Sequence, residues 1–207
     1  MLNTTTETHP VAHATTPDGE VLIAVRHSAQ AWSALTVAGE GAEAELAADD
    51  VRPYPESPWL GRALARGRLR PIPRHELRRA GLEFASVNPL ADLLDLGTAV
   101  GLFRLDLTGV RLVGREVVPV DPDAFAAADP DPLHLIEREL LEDLRLHHRA
   151  EIASLTTPPG QGDVPVRLDR YGLVLALPGL RRIEFPTPAD CPSCVSRMLR
   201  LSHTNHP

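Results

Sequence analysis

TPDGEVLIAVRH, residues 16–27, decides the fold class. A four-residue turn signal runs straight into an unbroken apolar stretch, which reads as a buried strand. Ser28 can then cap a short helix, AQAWSAL. Working outward, AEAEL (42–46), the proline-punctuated VRPYPESPW (51–59) and LARGRLRP (64–71) form a β-rich stretch, followed by a helix around RHELRRAGLEFA (74–85). GLFRLDL, VRLVG and REVVPVD then read as three strands, divided by the turn-like Thr108-Gly109 and Gly114-Arg115. Short strands with turn residues between them, interrupted by one or two helices, predict a small barrel with helical decoration over residues 16–128. Upstream, residues 1–15 are rich in Thr and His without periodicity, and a mobile tail is expected there.

A second domain is expected over 129–207, behind the linker candidate DPDAFAAADPDP. Asp131 and Pro132 make an N-cap and first-turn pair for a long helix. Leu133, Ile136, Leu140, Leu144, His148, Ile152 and Leu155 recur every three or four positions, which places them on one stripe. Glu137, Arg138, Glu142 and Arg145 are expected outside it. After PPGQGD come the strands PVRLD, GLVLAL and RRIEF, whose short connections favour an antiparallel meander. A closing helix completes a two-layer α-β-β-β-α unit.

Composition narrows the function classes. The chain has 207 residues, 43% hydrophobic and 24% charged, a globular balance. All 21 basic residues are arginine, and with the abundant Ala, Pro and Gly this suggests a GC-rich, bacterial coding sequence. A net charge of -7 argues against sequence-independent nucleic-acid binding, which needs a basic surface. The N-terminus has neither a basic leader nor an apolar core of a signal peptide, and no apolar run reaches the roughly 18 residues of a membrane span. A cytoplasmic protein is therefore expected, and two cysteines three positions apart agree with a reducing compartment.

Three constellations could carry chemistry. The first is ADCPSCVSRMLRLSHTNHP (189–207), where Cys191 and Cys194 are followed by His203 and His206. If Asp190 caps a helix, Cys191 and His203 lie roughly 18 Å apart along its axis. That separation forbids one zinc ion from binding both. CPSC also looks like the C-P-x-C dithiol of glutaredoxin-type proteins, but it falls at the end of the chain, and sulfurs packing as small apolar groups is the plainer reading. The second is His148 in LHHRAEI, expected inside, either as a hydrogen-bonded core residue or as an axial ligand to haem iron. The third is GRALARGRLRP (61–71), which puts Arg66, Arg68 and Arg70, with Arg62, on one strand face. Such a comb can clamp carboxylates or phosphates, or simply be solvated. No phosphate loop, nucleophile elbow or H-E-x-x-H occurs, and aromatics are only 4%, too few for base-stacking platforms.

VRLDRYGLVLAL and RRIEFPTP, together with the helix ending in HHRAEI, resemble the domain of unknown function found behind split barrels in HugZ-type haem proteins. Asp169, Gly172 and Leu173 match its D-x-x-G-L turn, Phe185, Pro186 and Pro188 match its F-P-x-P strand end, and His148 matches the second histidine of its helix motif. Elsewhere in that helix motif this chain has Asp143, Arg145, His147 and Ala150. The stretches TPDGEVLIAVRHSAQAWSAL and LLDLGTAVGLFRLDLTGVRLV look like the split-barrel half of actinobacterial members. The resemblance spans roughly residues 16–201. It implies an α+β fold, a shortened FMN-binding-like (pyridoxamine 5'-phosphate oxidase-like) split β-barrel followed by the α-β-β-β-α domain. It also implies a homodimer with haem between its barrels, Arg66 and Arg68 on the propionates, and His148, His203 or His206 on the iron. Relatives that degrade haem use an external reductant. The same barrel class binds flavin or deazaflavin, and a non-catalytic dimeric interaction module is the third reading.

Overall fold

The computed structural model describes residues 1–3, 8–38, 41–155, 164–177 and 179–204. They form two compact units, one of residues 1–50 and 60–129, the other of residues 51–59 and 130–207.

In the first unit β1 (Leu2–Asn3), β2 (Thr8–His9), β3 (Ala12–Thr15), β4 (Val21–Arg26), β5 (Ala42–Asp49), β6 (Arg62–Pro71), β7 (Val100–Val113) and β8 (Val117–Val120) make one antiparallel sheet. Its order is β2-β1-β5-β6-β7-β4-β3, with β8 pairing β7. The apolar run of β4 is continuous because both faces of that strand are covered. Val21, Ile23 and Val25 point to one core with Leu35 of α1 (Gln30–Ala38), while Leu22 and Ala24 point to another with Phe84 of α2 (Leu77–Val87).

Three expectations for this unit are corrected. The first residues are strands, not a loose tail, since Leu2 is fully buried and pairs with Leu46 and His9. Thr108-Gly109 does not end a strand. Gly109 pairs with Arg66 and Leu107 with Gly67, so Thr108 is the extra residue of a bulge inside one long strand, which strengthens its twist. The expected linker also contains a helix, α3 (Pro122–Ala126), because the Asp121 carboxylate accepts from the Asp123 and Ala124 amides and Pro122 opens the turn.

The second unit contains α4 (Glu137–His147), α5 (Arg149–Ser154), the meander β9 (Val164–Asp169), β10 (Gly172–Leu177) and β11 (Gly179–Glu184), and α6 (Pro192–Thr204). Leu133, Leu141, Leu144, Ile152 and Leu155 share a core with Leu168, Leu173, Ile183, Val195 and Met198. The apolar stripe is thus real, but it is carried by two helices with His148 at the break. The proline-rich segment 51–59, which chain order puts inside the barrel half, belongs to this second unit. Ser57, 2% exposed, donates its hydroxyl to the Val166 carbonyl at 2.7 Å. Ser57→Ala strands that buried carbonyl, and a cost of about 1–3 kcal/mol is expected in urea unfolding.

Candidate functional site

The long exposed edge of α2 and the chain that leaves it shape a cleft of about 730 Å³ in the first unit. α2 presses Ala80, Gly81 and Phe84 inward, with Leu77 packed at the edge of the same core, and leaves Leu82 exposed; Leu77, Gly81, Leu82 and Ala85 all line the cleft. A 3-10 turn, Ala91–Asp95, supplies the opposite wall with Leu93 and Leu94, and Leu96 follows it. Gly97 adopts φ +78° and donates to the Val100 carbonyl at 2.8 Å, turning the chain into β7. Leu96 packs closely over Gly81, where a Cβ would sit 2.5 Å from Leu96 Cδ1 and would make that side chain shift. The 3-10 turn is tied to β4 through Asp92, whose carboxylate accepts twice from the Arg26 guanidinium. Those hydrogen bonds hold the Asp92 carboxyl below the usual carboxylate range.

The cleft's chemistry is an apolar floor with cations at its rim. Leu82 is 66% and Leu94 90% exposed, large apolar surface left in water. Arg74 and Arg78 line the same cleft. Among the described residues neither has a carboxylate partner, whereas Arg26, Arg62, Arg66, Arg68, Arg70, Arg79, Arg104 and Arg111 of this unit all do. Arg74 lies in the turn that precedes α2 and Arg78 in its first turn, and two guanidinium groups on one cleft suit two anionic groups on one ligand.

The sequence-expected residues fall elsewhere. Arg66 and Arg68 do share the exposed face of β6, but both reach Glu43, at 3.5 and 3.3 Å. With Arg62 on Asp49 and Arg70 on Asp106, the comb is a ladder of cross-strand ion pairs. His148 belongs to the second unit and is not in its core. Its side chain is 32% exposed, with Nε2 3.5 Å from Asp143 and Nδ1 3.6 Å from Glu151, so two carboxylates draw the ring outward. The side chain of His203 and all of His206 lie outside the described residues. Among the described residues no three His, Cys, Asp or Glu side chains are grouped to hold a metal ion. Cys191 and Cys194 do not pack as separate small apolar groups, because they are joined in a disulfide.

Arg74 and Arg78 were visible in the sequence as an i, i+4 pair in RHELRRAG, without any mark to set them apart from the other arginines. What sets them apart is that they line the cleft and have no carboxylate partner among the described residues, and pairing is decided between residues far apart in the chain.

No protein-family model and no curated protein matches the sequence. Among solved structures the chain is similar to one described as "Structure of heme binding protein from Mycobacterium smegmatis", with a TM-score of 0.65 and 19% identity, covering 98% of this chain and 89% of that one. The fold is that of a split barrel. A protein of unknown function from Agrobacterium tumefaciens aligns at a TM-score of 0.42 and 18% identity, over 97% of this chain and 87% of that one. Among the described residues no helix is long and apolar enough to cross a membrane.

Proposed function

We propose that this split-barrel chain binds haem or a closely similar flat, apolar, dicarboxylate-bearing ring, and that the cleft beside α2 is where it does so. The observation that carries the reading is the pairing of exposed Leu82 and Leu94 with two arginines lacking carboxylate partners among the described residues. A cleft of 730 Å³ falls within the range of about 300–1,000 Å³ usual for cofactor sites. The name of the Mycobacterium smegmatis structure supports the same ligand class. Arg74 and Arg78 would hold the two propionates, and Leu77, Leu82, Leu93 and Leu94 would remove the ring faces from water. The lining includes no histidine, so these residues would hold the ring body and its carboxylates. Haem bound there would supply an iron able to take electrons from an external reductant.

A homodimer belongs to this reading, since a second copy would cover the 90% exposed Leu94 on the open side of the cleft. Flavin is the second ligand class, because its phosphate would meet the same guanidinium pair.

Titration of the purified protein with hemin tests the proposal. A saturable change in the visible spectrum at one equivalent per chain is expected, and a merely linear, non-saturating rise overturns it. Arg74→Ala combined with Arg78→Ala removes two partly solvated charge pairs, each worth about 0.2–1 kcal/mol, so a roughly 2- to 30-fold weaker hemin affinity is expected. Retention of flavin in place of hemin, sensitive to the same double substitution, would select the second ligand class.

A further inference from the structure

We propose that Cys191 and Cys194 are a redox-active pair that exchanges with small-molecule thiols and disulfides, with Cys191 the attacking sulfur and Cys194 the resolving one. The motif Cys191-Pro192-Ser193-Cys194 stands where α6 begins. Pro192 is its first helical residue, and Cys191 immediately precedes it. The two sulfurs are bonded to each other across this first turn.

The surroundings of the two sulfurs differ in the way an exchange site requires. Cys191 Sγ accepts the Cys194 backbone N–H at 3.2 Å and lies 3.2 Å from the Ser193 hydroxyl. A backbone amide at a helix start and a hydroxyl both favour a thiolate at that position over a thiol. The neighbouring Asp190 carboxylate would oppose this, but the Arg170 guanidinium pairs with it. Cys194 packs partly against the core that contains Val195 and Met198, which shields it from an incoming reagent. Arg197 Nη2 lies 3.8 Å from Cys194 Sγ, a cation placed to receive negative charge when that sulfur leaves.

A purely structural role explains less. Val195, Met198 and Leu199 already bury the inner face of α6, and a ring closed between residues three apart removes little freedom from the unfolded chain.

The chemistry balances with a small-molecule disulfide as co-reactant. The Cys191 thiolate attacks one of its sulfurs, that S–S bond breaks, and the departing thiolate takes a proton from solvent. Cys194, losing its proton to solvent, then attacks Cys191 Sγ in the mixed disulfide and expels the second thiolate. The pair gives up two electrons, and the reagent is reduced to two thiols. A dithiol such as dithiothreitol drives the reverse.

The test uses the whole chain. Equilibrated across ratios of reduced to oxidised dithiothreitol and trapped with iodoacetamide, the folded protein should switch reversibly between the two states. Its melting temperature should move by no more than about 4 °C. Reduced Cys194→Ser should form a mixed disulfide with bis(2-hydroxyethyl) disulfide at least about 10-fold faster than Cys191→Ser. Limiting iodoacetamide on the reduced wild-type chain, read by peptide mass spectrometry, gives the same ratio without a substitution. A pair that yields to dithiothreitol only on unfolding, that stays a dithiol under oxidant, or whose two thiols react equally fast overturns the proposal.

Discussion

Glu137→Ala lowers the stability of the second unit by about 3–5 kcal/mol, the usual consequence of removing one member of a buried ion pair. The Glu137 side chain is 7% and that of Arg167 10% exposed, with Glu137 Oε1 3.1 Å from Arg167 Nε. The same oxygen accepts the Leu168 backbone N–H at 2.9 Å, and Arg167 donates to the Val51 carbonyl at 3.3 Å. Alanine would leave a guanidinium and an amide in the interior without their acceptor, which costs more than the pair itself contributes. Glu137→Gln keeps an oxygen for Leu168 and should lose less than the alanine variant. Trp59, in the second unit, reports its unfolding in urea when Trp32 is replaced by Phe. A midpoint within experimental error of the parent would show that water reaches the pair.

The second large effect joins stability to the proposed ligand. Phe84, 0% exposed, fastens α2 to the sheet against Leu22 and Leu102. Phe84→Ala should cost about 3–5 kcal/mol, and hemin affinity should fall with it because α2 is one wall of the cleft. Leu94→Ala makes the complementary case. At 90% exposure it should change stability by no more than about 0.5 kcal/mol while still weakening hemin binding. Equal losses of affinity and stability in the Leu94 variant would separate the cleft from ligand binding.

Much of the architecture was legible locally. The turn before Val21, the apolar run of β4, the three-strand meander and the helix at CPSC each follow from period, turn chemistry or capping within a dozen residues. Errors arose where a local signal had two outcomes. Thr108-Gly109 reads equally as a turn or a bulge, and only the pairing of β7 with β6 shows that the strand continues. Glu137 reads as solvated because it stands among charges, yet it is buried by Arg167, thirty residues later in the chain.

The candidate site was less legible than the fold. The strand that holds Arg66 and Arg68 is legible as a row of cations, but the neighbouring strand brings Glu43 to both. Cation rows announce themselves in a sequence, whereas their neutralisation depends on strand register.

By itself the sequence determined where chain direction changes and which side of each element is apolar, because those properties depend on residues two to four positions apart. Tertiary structure alone decided which arginines remain without carboxylates among the described residues, which glutamate is buried, and that segment 51–59 joins the second unit. Each of these is set by groups dozens of residues apart, and the energy of a charge depends on what lies within a few ångströms of it in space.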